Sequence, residues 1–277
     1  MKSYISRDLS GIDSLEVQDI PAPGPLGPGG VRIAMRAASV NYRDTMAVSG
    51  AFGPAGPDGL IPCSDGAGEV LEVAPDVNNT KVGDRVALTF NPDWIGGPWQ
   101  GSTANMGRGS VMVPGVMQEE VSVHHSEIVR LPEHLDYEEG AALPCAGVTA
   151  WNAICGPSSL LPGMSVLLEG AGGVAVLGLQ LAKLFGARVI MTTSSEDRAQ
   201  RLKALGADDV INYRENPDWH NRVRELTGGI GVDVGVDIGG AETLDKTIAS
   251  TRPGGRLALV GLLTGWPEST SKLFSTG

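Results

Sequence analysis

The stretch MSVLLEGAGGVAVLGLQLAK, from Met164 to Lys183, carries the strongest structural signal in the chain. Ser165–Leu168 is mostly apolar and predicts a short buried strand, and Val176–Lys183 predicts a helix with one apolar face. Between them lies GAGGVA, which begins at Gly170 and fits the pattern G-x-G-x-x-G/A. A strand, a tight glycine turn and a helix are the elements that bind the pyrophosphate of a dinucleotide.

The residues of this turn have separate predicted tasks. Gly170 permits the turn, Gly172 lets the backbone approach a phosphate, and Ala175 lets the helix pack close to the strand. Gly173 and Val174 belong to the same set of expected cofactor-binding residues, because the N–H groups at the start of the helix face the anion. The alternative is a purely structural turn, since glycine-rich turns are common.

Length and composition limit the classes of protein to consider. The 277 residues suffice for two modest domains. The formal net charge of −11 argues against nucleic acid or an anionic membrane as a partner. Because no apolar run is long enough to cross a bilayer, and Met1–Gly11 lacks the apolar core of a signal peptide, we expect a cytoplasmic protein. The three widely spaced cysteines do not form a disulfide framework.

The first half of the chain is rich in short predicted strands, and helical patterning begins near Tyr137. The predicted strands are Val31–Ala37, Gly68–Val73 and Arg85–Leu88. This pattern predicts a compact β domain. Two polar clusters interrupt it, Asn41–Asp44 and Cys63–Gly68, and each taken alone is more typical of a turn or a strand end than of a functional site.

Two tryptophans and two histidines of this half are considered as possible site residues. Trp94 and Trp99 lie in the loop NPDWIGGPW, where simple loop packing and the wall of an apolar pocket are both open. His124 and His125 are adjacent, so in a strand they would point to opposite faces. We therefore expect both histidines at the surface rather than on a metal ion.

The second half of the chain continues as alternating strands and helices. The predicted strands after the glycine turn are Arg188–Thr192, Asp209–Ile211, Val232–Ile238 and Arg256–Val260. Such alternation predicts an α/β fold with a doubly wound parallel sheet, which binds ligands at the carboxyl ends of its strands. Gly239 and Gly261 follow two of these strands and are expected at that edge. Glu169 ends the first strand beside the turn, and no role for its charge follows from the sequence.

The end of the second of these parallel strands bears on the choice of cofactor. NAD-preferring folds place Asp or Glu there, roughly twenty residues after the turn, to bind the ribose hydroxyls. This chain has Thr193, Ser194 and Ser195, with Arg198 close behind. Hydroxyls and a guanidinium suit the 2′-phosphate of NADPH. The alternative is that Ser195 caps the next helix and Arg198 is a solvated helix residue, and both interpretations can hold together.

Several blocks of the sequence, in this order, resemble the medium-chain dehydrogenase/reductase superfamily. Besides the glycine turn, the blocks are Asn41–Asp44, Pro62–Val70, Gly83–Val86, Ala141–Trp151, Lys203–Tyr213 and Arg252–Gly261. Within the superfamily, the chain looks like the zinc-independent NADPH:quinone reductases and related zinc-type alcohol dehydrogenase-like proteins. The resemblance implies a GroES-like β domain over residues 1–125 and a Rossmann NADP-binding domain over residues 126–277.

The resemblance also bears on metal binding. The zinc-dependent branch holds its catalytic metal with a Cys, a His and a second Cys, and the matching positions here are Asn41, Ser64 and Cys145. An amide and a hydroxyl are poor ligands for zinc, so we expect no metal. Cys145 remains, and it fits equally well as a small buried apolar side chain.

The resemblance implies an oxidoreductase that transfers hydride from NADPH, without a metal, to a quinone or to an activated, enone-type double bond, the substrate being a small-molecule quinone or carbonyl compound. The negative charge that develops on the substrate oxygen needs hydrogen-bond donors when no metal is present. Asn41 and Tyr42 are the candidates, with Tyr42 also a proton donor. Thr149 is expected to help seat the nicotinamide, and Tyr213 to contact the phosphate end. The alternatives are an alcohol dehydrogenase that acts on C–O bonds and a catalytically silent nucleotide-binding protein.

The family pattern continues beyond Gly261, with a sixth strand and a return to the first domain. Here the sequence passes through Trp266 into ESTSKLFSTG and stops at Gly277, so we expect an incomplete fold. Arg256–Val260 would then be a sheet edge that invites association, and a second copy of the chain is an alternative cover for it. We expect marginal stability and weak turnover, with cofactor binding retained better than catalysis.

Overall fold

The computed structural model of the chain describes residues 1–92, 94–97, 107–156 and 159–265. The chain divides into two compact units, Met1–Cys145 and Ala146–Gly277. Trp99 and the tail from Trp266 to Gly277, on which the expectation of an incomplete fold rests, lie outside the described residues. Within those residues, no helix is long and apolar enough to cross a membrane.

A five-stranded antiparallel sheet forms the centre of the first unit, in the order β6-β3-β4-β5-β7. Its strands are β3 (Gly30–Ser39), β4 (Asp65–Val73), β5 (Arg85–Leu88), β6 (Glu120–His124) and β7 (Ile128–Arg130). A separate hairpin pairs β1 (Lys2–Ser6) with β2 (Leu15–Asp19). Alternate residues of the sheet strands face one apolar core, as Val31 and Ile33 of β3 do.

The three strands predicted in this unit are all present. β5 has the predicted bounds, and β3 is longer at both ends. β4 begins at Asp65 rather than at Gly68, because Asp65–Ala67 pairs with the end of β3. Most of the polar cluster Cys63–Gly68 is therefore the start of a strand.

A short helix, α1 (Tyr42–Val48), lies where the sequence predicts only a turn or a strand end. Asn41 is its N-cap, and the Asp44 carboxylate accepts the Asn41 backbone N–H at 2.7 Å. Ala47 and Val48 bury the other end of the helix in a small apolar cluster. Seven residues make only two helical turns, too few for apolar periodicity to distinguish this helix from a turn.

After a 3₁₀ turn at His125–Glu127, the next α-helix of the described residues is α2 (Tyr137–Ala141), which begins at the predicted residue and is capped by Asp136. A π-helical segment, Leu143–Gly147, follows it. The Glu139 backbone N–H donates to the Asp136 carboxylate at 2.8 Å, which satisfies one of the unpaired donors at the start of α2.

Five parallel strands form the sheet of the second unit, in the order β10-β9-β8-β11-β12. They are β8 (Ser165–Leu168), β9 (Arg188–Thr193), β10 (Asp209–Asn212), β11 (Val232–Asp237) and β12 (Thr251–Leu259). The helices of this unit are α3 (Val148–Cys155), α4 (Gly173–Leu184), α5 (Glu196–Ala204), α6 (Trp219–Leu226) and α7 (Leu244–Ser250). This confirms the predicted doubly wound sheet. The strand order reverses at β8, so its carboxyl end is the topological switch point.

Two element starts in this unit differ from the prediction. Helix α4 begins at Gly173 rather than at Val176, so the second half of the glycine motif forms its first helical turn. Strand β12 begins at Thr251 rather than at Arg256 and includes Pro253. Its pairing register with β11 shifts between Val232 and Val234. This irregularity accommodates Pro253 and the two glycines that follow it, which in the sequence alone are typical of a turn.

Small residues bring helix α4 close to strand β8. Ala175 and Leu179 are fully buried in the core that contains Leu168. A Cβ atom added at Gly178 would lie 3.1 Å from the Leu168 side chain, so a larger residue would push the helix away. The N-terminus of α4 is thereby held next to the end of β8.

Replacing Leu179 with alanine should destabilise the second unit. Truncating a buried leucine costs about 2–5 kcal/mol, because its packing contacts are lost and a cavity remains. We expect the urea midpoint of unfolding, followed by circular dichroism, to fall clearly below that of the wild type. Leu184→Ala in the same helix is the matched control, because Leu184 is 83% exposed and its truncation should leave the midpoint unchanged. Equal effects of the two substitutions would contradict the described packing.

Candidate active site

The glycine turn of the second unit leaves open space at the carboxyl end of β8. Gly170 has a φ of +76°, a conformation that glycine adopts without strain. A Cβ atom added at Gly170 or at Gly172 would meet no described atom within 4 Å. A side chain at either position would fill space that a ligand could otherwise occupy, so the turn fits a closely approaching phosphate.

The N-terminus of α4 opens into this turn. Gly172 is the N-cap and has no side chain to cap the helix. The first backbone hydrogen bond of the helix is donated by the Val176 N–H to the Gly172 carbonyl oxygen, at 3.0 Å. The N–H groups of Gly173, Val174 and Ala175 precede it and have no partner within a helix, which makes such a terminus a binding site for anions. These residues fit the pyrophosphate of a dinucleotide.

The end of β9 lies beside this turn. The Gly170 N–H donates to the Thr192 hydroxyl at 3.3 Å, which connects the two strand ends. The next residue, Thr193, is fully buried, and its hydroxyl oxygen has no hydrogen-bond partner among the described residues. Ser194 is half-buried. The hydroxyl of Ser194 is therefore more accessible to a ligand than that of Thr193.

Ser195 and Arg198 start the helix that follows β9. The Ser195 hydroxyl accepts the Arg198 backbone N–H at 3.4 Å, so Ser195 is the N-cap of α5. The Arg198 side chain is exposed. Tyr213 is close by, because its backbone N–H donates to the Thr193 carbonyl at 2.9 Å, and its side chain is 41% exposed. The structure thus brings the predicted phosphate-binding residues to one edge of the sheet.

Gly239 and Gly261, predicted at the same edge, both pack against protein atoms. The Gly239 N–H donates to the Glu169 carboxylate at 3.2 Å. A Cβ atom added at Gly261 would lie 2.3 Å from the Ile238 carbonyl oxygen. Packing within the protein therefore accounts for glycine at position 261, and the N–H of Gly239 already has a partner.

Glu169 is the functional candidate that sequence analysis leaves without a role. Its side chain is buried at the end of β8, where one carboxylate oxygen accepts the N–H groups of Ile238 and Gly239, at 3.1 and 3.2 Å. The other oxygen accepts the Thr247 hydroxyl. Burial, together with the charge of Asp237, raises the pKa of Glu169 to about 7. The one sequence signal for this site is a charged residue at the end of an apolar strand.

Asp65 organises a polar cluster in the first unit. Its carboxylate accepts the Ser64 hydroxyl at 2.7 Å, the Cys145 backbone N–H at 2.9 Å and the Asn41 side-chain amide at 3.0 Å. The three positions that match zinc ligands in the zinc-dependent branch, Asn41, Ser64 and Cys145, therefore converge on one aspartate. Burial raises the pKa of Asp65.

A second buried carboxylate, Asp44, supports the start of α1. Besides the hydrogen bond from the Asn41 N–H, its carboxylate accepts a hydrogen bond from the Arg43 guanidinium at 3.0 Å. Burial raises the pKa of Asp44. Burial also raises the pKa of the nearby Cys63 thiol to about 12, and the charges of Asp44 and Asp65 act in the same direction. Cys63 is consequently a thiol rather than a thiolate at neutral pH.

The predicted catalytic residues differ in their exposure. The Asn41 amide nitrogen, besides donating to Asp65, lies 3.5 Å from the Ser39 carbonyl oxygen. The Tyr42 side chain is 57% exposed. Thr149 is half-buried in the first turn of α3, in the second unit.

The residues at the zinc-ligand positions do not fit a zinc ion. They provide an amide, a hydroxyl and one thiol, and two of these side chains donate to Asp65. Zinc prefers thiolate, imidazole and carboxylate ligands, and a catalytic zinc takes three of them and keeps one position open. No group of three His, Cys, Asp or Glu side chains in the described part of the chain could hold a metal ion.

The two adjacent histidines do not lie in one strand, so the alternation expected of strand residues does not apply to them. His124 ends β6, whereas His125 begins a 3₁₀ helix, His125–Glu127. Their ring centroids are 4.4 Å apart with ring planes tilted by 39°, so the two rings are in contact instead of facing opposite sides. The chain bends directly after His124, which brings the rings together. Trp94 is 38% exposed, and its indole N–H donates to the Gly97 carbonyl at 3.0 Å within its loop.

A parallel sheet with a glycine turn at its switch point, in a chain that also has an antiparallel β unit, defines an α/β protein of two structural units whose second unit has a dinucleotide-binding type of sheet. Residues 27–133 match the family model for the alcohol dehydrogenase GroES-like domain, and residues 173–276 match the model for zinc-binding dehydrogenases. The chain belongs to the medium-chain dehydrogenase/reductase superfamily, and the predicted GroES-like and Rossmann folds are confirmed.

Individual relatives agree with this assignment. A zinc-type alcohol dehydrogenase-like protein of Schizosaccharomyces pombe is 33% identical over 265 residues, which cover 95% of this chain and 76% of that protein. The structure of a quinone oxidoreductase from Pseudomonas syringae has 30% identity and a TM-score of 0.81, and covers 96% of this chain and 75% of its own. A mycobacterial protein solved in complex with NADPH has 32% identity and a TM-score of 0.79, with 96% and 76% covered.

The purified protein should contain no stoichiometric zinc. The reason is that the amide of Asn41 and the hydroxyl of Ser64 stand where thiolate or imidazole ligands would be needed. We expect elemental analysis to give far less than one zinc per chain. Treatment with a chelator should leave the thermal unfolding midpoint unchanged. About one zinc per chain, retained through gel filtration, would contradict this interpretation of the cluster around Asp65.

Proposed function

We propose that the chain is an NADPH-dependent reductase that transfers hydride to a quinone or to an activated, enone-type double bond without a metal. The observation that carries the proposal is the uncapped N-terminus of α4 at the switch point of the parallel sheet. Dinucleotides bind at such a position in doubly wound folds. The quinone oxidoreductase and the NADPH complex among the similar structures support the same function.

Two groups of residues at the carboxyl edge of the parallel sheet support NADPH as the cofactor. The N–H groups from Gly172 to Ala175 would hold the pyrophosphate, because they form an uncapped helix terminus beside open space. Ser194, Ser195 and the exposed Arg198 would hold the 2′-phosphate, with Tyr213 beside them. When NADPH is bound, its nicotinamide supplies the hydride. We assign Thr149 to a contact with the nicotinamide.

The first unit would stabilise the charge that hydride addition places on the substrate oxygen. Because the residues at the zinc-ligand positions do not suit a metal, this task falls to hydrogen-bond donors. Tyr42 is exposed and carries a hydroxyl that can donate a hydrogen bond and then a proton. The Asn41 amide nitrogen donates one hydrogen to Asp65 at 3.0 Å, and its second hydrogen, held only by a long 3.5 Å contact with the Ser39 carbonyl, would serve the substrate. Asn41 and Tyr42 are thus the proposed catalytic residues.

A second candidate function is an alcohol dehydrogenase that acts on a C–O bond, which the zinc-type alcohol dehydrogenase-like relative favours. A substrate panel separates the two functions. We expect NADPH absorbance to fall with a quinone or an enone and to persist with a simple ketone, with or without a chelator. Turnover of the ketone alone would establish the second candidate. Tight cofactor binding without any turnover would instead identify a catalytically silent nucleotide-binding protein.

Arg198→Ala should weaken NADPH binding and leave NADH binding nearly unchanged. The expected loss is about 1.5–3 kcal/mol, the scale of one hydrogen bond to a charged group. Fluorescence titration of both nucleotides measures it. Arg201→Ala is the matched control, since Arg201 is an exposed arginine later in the same helix and is not expected to reach the phosphate. An equal loss for both nucleotides would show that Arg198 does not select the 2′-phosphate.

Asn41→Ala and Tyr42→Phe should each lower turnover with a quinone and leave the affinity for NADPH almost unchanged. A loss on the order of 10²-fold corresponds to the removal of one donor that stabilises the developing charge. Tyr42→Phe is the cleaner variant, because Asn41→Ala also removes a donor from Asp65. Val40→Ala, at a neighbouring position that is 70% exposed, serves as the control. Unchanged turnover in both variants would exclude these residues from the mechanism.

A further inference from the structure

Glu169 joins three separate elements at the carboxyl edge of the parallel sheet. It directly precedes Gly170, so its own backbone starts the glycine turn. Its carboxylate accepts the N–H groups of Ile238 and Gly239, which follow β11, and the hydroxyl of Thr247 in α7. One buried side chain therefore connects the turn after β8, the loop after β11 and helix α7.

A second carboxylate, Asp237, lies against the same hydroxyl. Asp237 is fully buried at the end of β11 and accepts the Thr247 hydroxyl at 3.0 Å and the Thr243 hydroxyl at 2.9 Å. The Thr247 oxygen thus lies within hydrogen-bond distance of both Glu169 and Asp237, yet a hydroxyl has only one hydrogen to donate. A proton on Glu169 resolves this conflict, because Glu169 then donates to Thr247, and Thr247 donates to Asp237.

We propose that Glu169 is a positioning residue for cofactor binding. In its protonated form it holds the glycine turn together with the loop after β11 that contains Ile238 and Gly239, called here the Gly239 loop. This inference rests on the proposed dinucleotide function. Glu169 does not touch the reacting atoms in this proposal. It fixes the turn that presents the N-terminus of α4 to the pyrophosphate.

The groups that surround Glu169 favour its neutral form. Asp237 is the titratable group that faces it from β11, α7 presents the hydroxyl of Thr247, and Thr243, the N-cap of α7, donates its hydroxyl to Asp237. The segment from Gly170 to Gln180, in the turn and α4, contains no titratable residue. Because burial raises the pKa of Glu169 to about 7, the carboxyl group ionises close to neutral pH. The phosphate of a bound dinucleotide would add negative charge next to it and oppose this ionisation further.

The sign of the pH dependence follows from this shift. An ordinary glutamate in the unfolded chain loses its proton near pH 4.5, whereas folded Glu169 keeps it to about pH 7. Its contribution to stability is therefore fully present below about pH 4.5 and is lost as the pH rises to about 7. Cofactor affinity should likewise fall as the pH rises through about 7, because the binding-competent form is the protonated one.

The test compares three forms of the full chain by fluorescence titration with NADPH between about pH 5.5 and about pH 8.5. We expect the wild-type affinity to fall by about tenfold across this range, the effect of a coupling of one pKa unit. Glu169→Gln resembles the protonated side chain and should keep the low-pH affinity throughout. Glu169→Ala, which makes none of the contacts, should bind weakly at every pH. Glu225→Gln, on an exposed face of α6, is the matched control and should follow the wild type.

The outcomes separate this inference from the proposed function. If the wild type binds neither NADPH nor NADH at any pH, the proposed function is wrong. If the wild type binds NADPH, but Glu169→Gln shows the same pH profile as the wild type, the positioning role of protonated Glu169 is overturned. The Gln variant decides the question even if the Ala variant does not fold. Titration of the cofactor's own phosphate is common to both proteins and cancels in the comparison.

Discussion

The close approach of α4 to β8 is the constraint on which the second unit depends. Ala175 and Leu179 are buried against the sheet, and Gly178 leaves room for Leu168. This packing holds the N-terminus of the helix directly after the strand, at the point where the strand order reverses. An uncapped helix terminus is favourable only where a ligand or water can satisfy its N–H groups. The same small residues therefore serve both the core and the proposed cofactor site.

Buried carboxylates connect distant segments in both units. Asp65 accepts hydrogen bonds from Asn41, Ser64 and Cys145, and Glu169 accepts hydrogen bonds from the loop after β11 and contacts the Thr247 hydroxyl of α7. A buried carboxyl group is tolerated only where hydrogen bonds replace its hydration. In the first unit this arrangement occupies the positions at which related zinc enzymes bind their metal. The described residues at these positions thus form a hydrogen-bonded polar cluster around Asp65.

Local patterns predicted most of the fold, and long-range contacts determined what they missed. The glycine turn and the strands around it follow from short apolar runs and turn residues. Helix α1 was missed because it is short, and its capping box with Asp44 is equally typical of a turn. The convergence on Asp65 could not be predicted without the resemblance, because Cys145 lies eighty positions further along the chain. Thr193 was predicted just after the second parallel strand, but it is the last, buried residue of β9. Apolar periodicity does not locate a strand end to within one residue.

A crystal structure of the chain with NADPH bound is the decisive measurement. We expect the pyrophosphate within hydrogen-bond distance of the N–H groups that begin α4, and the 2′-phosphate beside Ser195 and Arg198. Glu169 should keep its contacts with Ile238 and Gly239 in the complex. Phosphates bound away from α4, or a Glu169 side chain turned away from the Gly239 loop, would contradict these expectations.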